Sequence, residues 1–154
     1  MSSSTRVLQH VKAPPAAVYR ALLDPAAIAR WRFPAGMTPE VHTFSAVEGG
    51  AFRVSLTYAD PTQVGKSSTH TDTYHGHFAR LLPDEQVVEV IEFETTAPEM
   101  RGTMTMTTTL TAVSGGTDVL VVHEGLPAGV SAADNETGTR MALANLARLV
   151  EAER

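Results

Sequence analysis

A chain of 154 residues is one domain's worth, enough to bury a core but too short for two ordinary domains. Its 43% hydrophobic and 19% charged residues strike a globular rather than a disordered balance. Seventeen acidic residues against 12 basic ones leave a net charge of −5, which argues against a nucleic-acid partner, and the lack of cysteine excludes disulfides, thiolate nucleophiles, iron–sulfur clusters and cysteine-held zinc together.

No apolar run approaches the roughly 18 residues of a membrane span. The opening Met1-Ser2-Ser3-Ser4-Thr5-Arg6 leads into only a short apolar stretch, so no signal peptide is expected and the expected compartment is the cytoplasm. Residues 1–154 read as a single domain with 1–5 disordered. Residues 6–12 read as a short strand, stopped by Ala13-Pro14-Pro15. Pro15 suits the first turn of a helix, where its missing N–H costs nothing, and Val18, Ala21 and Leu22 then follow at helical spacing. Asp24-Pro25 repeats the start signal for a second short helix that runs to about Trp31.

From there to about residue 124 the chain reads as strand. Runs at 40–47 and 51–58 flank Glu48-Gly49-Gly50, where tandem glycines suit a tight turn. Phe52, Val54, Leu56 and Tyr58 alternate with Arg53, Ser55 and Thr57, giving one buried and one wet face. A polar loop at 59–71 precedes strands at 72–82 and 86–94. At 103–113, threonines alternate with Met104, Met106, Thr108, Leu110 and Ala112; Ser114-Gly115-Gly116 then turns into a last strand at 117–124.

The final segment, about 133–152, is a helix opened by Ser131-Ala132-Ala133-Asp134, which resembles a capping box. At about 100° per residue, Thr139, Ala142, Leu143, Leu146, Ala147, Leu149 and Val150 fall on one half of the wheel. Glu153 would point to the same side from the last turn. A twisted antiparallel sheet with one apolar face needs a cover, and this helix is the only candidate. The fold class is therefore α+β, a curved antiparallel sheet wrapped around a long C-terminal helix, with two short helices after the first strand.

That layout is the helix-grip plan. Val11-Lys12-Ala13-Pro14-Pro15-Ala16-Ala17-Val18-Tyr19-Arg20-Ala21-Leu22-Leu23-Asp24-Pro25 resembles a family opening of strand, "A-P" pair and "V-(F/Y)-x-A-L-x-D-P" helix. Trp31 sits at the family's tryptophan, and Glu48-Gly49-Gly50-Ala51-Phe52-Arg53 resembles its "G-G-x-(F/Y)-R" hairpin. His75-Gly76, Leu82-Pro83, Gly116-Thr117, His123-Glu124-Gly125, and Gly138 with Leu143 and Leu146 are similar to further landmarks. The family is the Hsp90-ATPase-activator-like branch of the START/Bet v 1-like (SRPBCC) superfamily. The resemblance implies a fold and a cavity, not a reaction, because its members include a co-chaperone domain, lipid carriers and cyclase-like enzymes. One landmark differs: Thr139 stands where the family has a tryptophan, leaving space for neighbours, ligand or water.

Strand parity outlines the lining of such a cavity. Val87, Glu89, Ile91 and Phe93 share one face, and the family pattern turns it inward; Glu89 would then be a desolvated acid suited to proton transfer. Val88 and Val90 allow the opposite reading, with Glu89 in water. His123 follows Val119 and Val121 and would either meet a ligand's polar head, act with Glu89, or be satisfied by backbone at a strand end. Met104 and Met106 are adaptable fillers of either pocket or core. Trp31 would cap the pocket entrance beside the short helices or staple those helices to the sheet. Gly138 costs about 1 kcal/mol relative to alanine, which suggests close packing against the sheet or room for a ligand. His70, Asp72, His75 and His77 are the densest set of metal-ligand types, yet no distant further ligand declares itself, so no metal is expected. Val64-Gly65-Lys66-Ser67-Ser68 lacks the upstream glycine of a P-loop.

The leading expectation is a binding domain that encloses an apolar or amphipathic molecule, needs no cofactor and has no assigned chemistry. The ligand-binding set is Trp31, Phe52, Val54, Leu56, Glu89, Ile91, Phe93, Met104, Met106, His123, Thr139 and Leu143. The second expectation is a cyclase- or isomerase-like enzyme using Glu89 and His123. The third is a partner of an Hsp90-type chaperone, ranked last because the eukaryotic co-chaperone adds an N-terminal domain for which 154 residues have no room. A homodimer is the remaining partner considered; nucleic acid and membrane are not expected.

Overall fold

In a computed structural model of the chain, which describes residues 3–33, 36–58 and 71–152, seven strands form one antiparallel sheet. β1 (Ser3–Val11) leads into α1 (Pro15–Leu23) and α2 (Pro25–Trp31). The strands β2 (Met37–Phe44), β3 (Ala51–Tyr58), β4 (Thr71–Leu82), β5 (Gln86–Phe93), β6 (Thr103–Val113) and β7 (Gly116–Leu126) follow, and then α3 (Ala132–Ala152). The spatial order is β1-β7-β6-β5-β4-β3-β2. Chain order and spatial order therefore agree from β2 to β7, and α1 and α2 carry the chain from one sheet edge to the other. Register shifts in β1, β2 and β4 bend the sheet into a trough. This is the expected α+β helix-grip architecture.

The differences in detail have local causes. Residues 3–5, expected to be disordered, belong to β1, where Ser4 pairs with Glu124 and Thr5 with His123. β2 starts at Met37 and ends at Phe44, not at 40 and 47. Its connection to β3 is correspondingly a six-residue loop, 45–50, instead of a tight turn. Only Gly49 of the glycine pair there has a positive φ, 80°; a side chain on Gly50 would collide with the Ser45 carbonyl. A short 3-10 turn at Pro98–Met100, which the sequence pattern does not signal, joins β5 to β6. The predicted loop residues 59–70, with His70 and the P-loop echo, and Glu153 lie outside the described residues.

α3 runs in the same direction as β1. The Thr5 hydroxyl donates to Asn135 Oδ1 near the start of the helix, and the Lys12 N–H donates to Glu151 Oε2 at 2.9 Å near its end. Seven strand steps cover about 23 Å and sixteen helical steps about 24 Å, so the two elements match in length. Ser131 Oγ accepts from the Asp134 N–H at 3.2 Å, the capping contact read from the sequence. Thr139, Leu143, Leu146, Ala147, Leu149 and Val150 are the buried residues of α3, which is the predicted face.

Candidate functional site

The concave face of the sheet carries transverse rows of side chains fixed by register. One row runs Thr5, His123, Met106, Glu89, Phe78 across β1, β7, β6, β5 and β4. A second runs Met104, Ile91, Gly76, Phe52 across β6, β5, β4 and β3. Gly76 is required there: a Cβ would strike the Val90 carbonyl oxygen and the Phe52 ring, which covers the bare backbone. Parity in β5 is thereby resolved, with Val87, Glu89 and Ile91 buried.

Between this face and the first half of α3 lies a pocket of about 280 Å³. Of the residues expected to line it, Trp31, Leu56, Ile91, Phe93, Met104 and Met106 do so, as do His123, Thr139 and Leu143. Phe52, Val54 and Glu89 are buried but do not line it. Phe52 instead packs edge-to-face against Tyr74 and Phe78 at 6.0 and 5.2 Å between ring centres. Trp31 lines the pocket, and its indole N–H donates to Ala21 O at 3.0 Å, fastening α2 to α1 rather than to the sheet. Gly138 also lines the pocket with nothing within 4 Å of where a Cβ would stand, so close packing on the sheet is not its reason. The Thr139 hydroxyl donates to Asn135 O, one turn back, at 2.7 Å; its proton is committed to the helix and only its lone pairs face other partners.

The central polar feature is a pair that the sequence reading missed. Arg32, held at the C-terminal cap of α2, donates from Nη1 to Glu89 Oε1 at 2.8 Å. The two side chains are 14% and 7% exposed. Arg32 Nη2 also lies 3.2 Å from Met106 Sδ, and the guanidinium stands 6.0 Å from the centre of the Tyr74 ring. Burial works against the charge on Arg32, but Glu89 and Tyr74 outweigh it, and its pKa is raised. Burial first, with Glu89 adding to it and Arg32 opposing, pushes the Tyr74 phenol up to about 12. Asp72 also faces inward and accepts from the Tyr58 hydroxyl at 2.9 Å. The signal for Arg32 was indirect: a carboxylate on an inward strand face demands a cation from elsewhere, and Arg32 adjoins the Trp31 already placed near the pocket.

Glu89 and His123 are not brought together. They sit in the same transverse row with Met106 between them, so two strand spacings, about 9–10 Å, separate their backbones. Glu89 is occupied by Arg32 instead of lying unpaired among apolar groups, which corrects the expected proton-transfer pair.

His123 is 6% exposed, and its Nδ1 is sealed from solvent without a hydrogen-bond partner. Such an orphan costs about 1–3 kcal/mol. Burial, reinforced by the charge on Arg32, lowers its pKa to about 4 from 6.5. The unfolded chain therefore binds a proton at this site in a pH range where the folded chain does not. The resulting stability is complete above about pH 6.5, falls with pH, and is gone below about pH 4, amounting to roughly 3 kcal/mol. Denaturant unfolding across that range should show a steeper loss in the native protein than in His123→Gln; parallel curves would contradict a buried neutral imidazole.

His75 and His77 are exposed, on the outer face of β4, and His75 Nδ1 lies 3.0 Å from Glu94 Oε2, which also accepts from Arg53 Nε. Asp72 points the other way. Among the described residues no three His, Asp or Glu side chains are grouped to hold a metal.

The sequence profile described as activator of Hsp90 ATPase homolog 1-like protein matches residues 12–151. The chain belongs to that family. A crystal structure of a protein from Chromobacterium violaceum is similar at 31% identity, covering 97% of this chain and 98% of its own, with a TM-score of 0.84. A Rhodobacter sphaeroides protein shares the fold at 20% identity, with 99% and 95% covered and a TM-score of 0.77. So does a family-like protein from Aeromonas hydrophila, at 20% identity, 98% and 94% covered, and a TM-score of 0.75. No curated protein matches the chain. The family belongs to the helix-grip superfamily, a class of ligand-binding domains, and no described helix is long and apolar enough to cross a membrane.

Proposed function

We propose that this helix-grip domain binds a small apolar or amphipathic molecule in the pocket between sheet and α3, with no reaction assigned. The pocket carries the reading: apolar side chains such as Leu56, Ile91, Phe93, Met104 and Leu143 make up most of its wall, with polar groups such as Arg32, Asp72, His123 and Thr139 set among them. A cytoplasmic location is part of the proposal. Activation of an Hsp90-type ATPase, which the family's description names, is the second reading; stimulation of a purified Hsp90 ATPase by this protein would favour it.

Thr139 provides the test. It lines the pocket at the family's tryptophan position, so Thr139→Trp should fill space. The uncharged dye N-phenyl-1-naphthylamine should brighten with the native protein and bind the variant about tenfold or more weakly, while thermal melts show stability kept or raised. Neighbours that have already closed the gap would make the variant about 1–3 kcal/mol less stable. A destabilised variant with unchanged dye affinity would sink the reading, as would a native protein that binds no dye and shows only the bare chain in native mass spectrometry.

A further inference from the structure

We propose that a ligand enters the pocket past Gly138, whose missing side chain keeps a mouth open on the flank of α3 that faces the end of α2. The proposal rests on the pocket being a ligand site, and it adds the way in.

Exposure along the helix wall locates the mouth. Six described residues of α3 line the pocket. At about 100° per residue they follow one another round the helix in the order Asp134, Gly138, Ala142, Asn135, Thr139, Leu143. Exposure falls along that order: Asp134 and Gly138 are exposed, Ala142 and Asn135 half-buried, Thr139 and Leu143 buried. The wall therefore runs from solvent at Asp134 and Gly138 to the interior at Leu143.

The attachment of α3 agrees with that direction. The helix is tied to β1 near both ends, by Thr5 to Asn135 and by Lys12 to Glu151. Toward α2, Asn145 Nδ2 donates to Trp31 O at 3.4 Å. Asn145 stands at nearly the same angle as Gly138 and about 10 Å further along the axis, so the edge joined to α2 at Asn145 is bare at Gly138. Phe33, two residues after Trp31, also lines the pocket and is half-buried, which makes it the facing rim. The glycine itself needs a reason. Only proline is a poorer helix former, and Gly138 lies in the interior of a 21-residue helix. Nothing stands within 4 Å of where its Cβ would be, so no close approach demands it. An open mouth does, because a longer side chain there would stand in the opening.

The chain contains no cysteine, so Gly138→Cys carries a single thiol that can be blocked reversibly as a mixed disulfide with glutathione. That bulky, charged tripeptide stays in water, so it obstructs the mouth without filling the apolar interior. Stopped-flow mixing with N-phenyl-1-naphthylamine should show association and dissociation both slowed about tenfold or more by the adduct. Affinity should change little, and dithiothreitol should restore both rates. Met141→Cys, blocked in the same way, is the control: Met141 is 49% exposed and does not line the pocket, so its dye kinetics should stay those of the native protein. Unchanged rates in blocked Gly138→Cys would overturn the entrance, as would equal slowing at both positions. Faster release with unchanged association would also overturn it, by placing Gly138 in the interior wall. All three results would leave the ligand site standing. A native protein that binds no dye would overturn the site itself.

Discussion

Arg32→Met should cost about 3–5 kcal/mol of folding stability, because it leaves the Glu89 carboxylate in the interior without its cation. Glu89 is 7% exposed at its side chain, between Met106 and Phe78 in its row, so little water can replace the guanidinium. The converse variant, Glu89→Leu, should cost less. Its orphan is Arg32, which lines the pocket and can turn its longer side chain toward solvent there. The double variant should recover most of the loss, since a buried ion pair replaced by apolar groups of similar volume is often neutral or better. Denaturant unfolding of all four proteins gives the coupling directly. A loss below about 1 kcal/mol for Arg32→Met, with no coupling, would show that the pair is solvated and does not organise the pocket.

The sheet was legible because each strand carries its own period-two signal, and β6 shows why. Its threonines alternate with Met104, Met106, Thr108 and Leu110, and these four are its buried residues. Legibility failed where the signal was not local. The run expected to begin at 40 starts too late, since β2 begins at Met37 and includes Pro39; proline is tolerated there because β2 is an edge strand. Ser3 and Ser4 read as a loose end, and only their partners some 120 residues later in β7 make them strand. The same division holds at the pocket. Parity within β5 and β7 put Glu89 and His123 on inward-capable faces, and the wheel put Thr139 and Leu143 inside. What joins Glu89 to Arg32 instead of His123 is the approach of α2 to the sheet, and no spacing in the sequence encodes that approach.

Leu146→Ala should destabilise the protein by about 2–5 kcal/mol while leaving ligand affinity unchanged, and the reason lies in how α3 divides its length. Asp134, Gly138, Thr139, Ala142 and Leu143, in the first half of the helix, line the pocket; Leu146, Ala147, Leu149 and Val150 are buried but do not. Leu146 has no exposed surface, so truncation leaves a cavity that solvent cannot fill cheaply. Leu146→Met keeps the volume and should cost below about 1.5 kcal/mol. Met141, 49% exposed on the opposite face, serves as the control: Met141→Ala should shift stability by no more than about 0.5 kcal/mol. Equal losses at positions 141 and 146 would mean that the helix is docked by a different face. Weakened dye binding in a folded Leu146→Ala protein would mean that the two halves do not act separately, and that the pocket's shape depends on how tightly the far end of the helix is held.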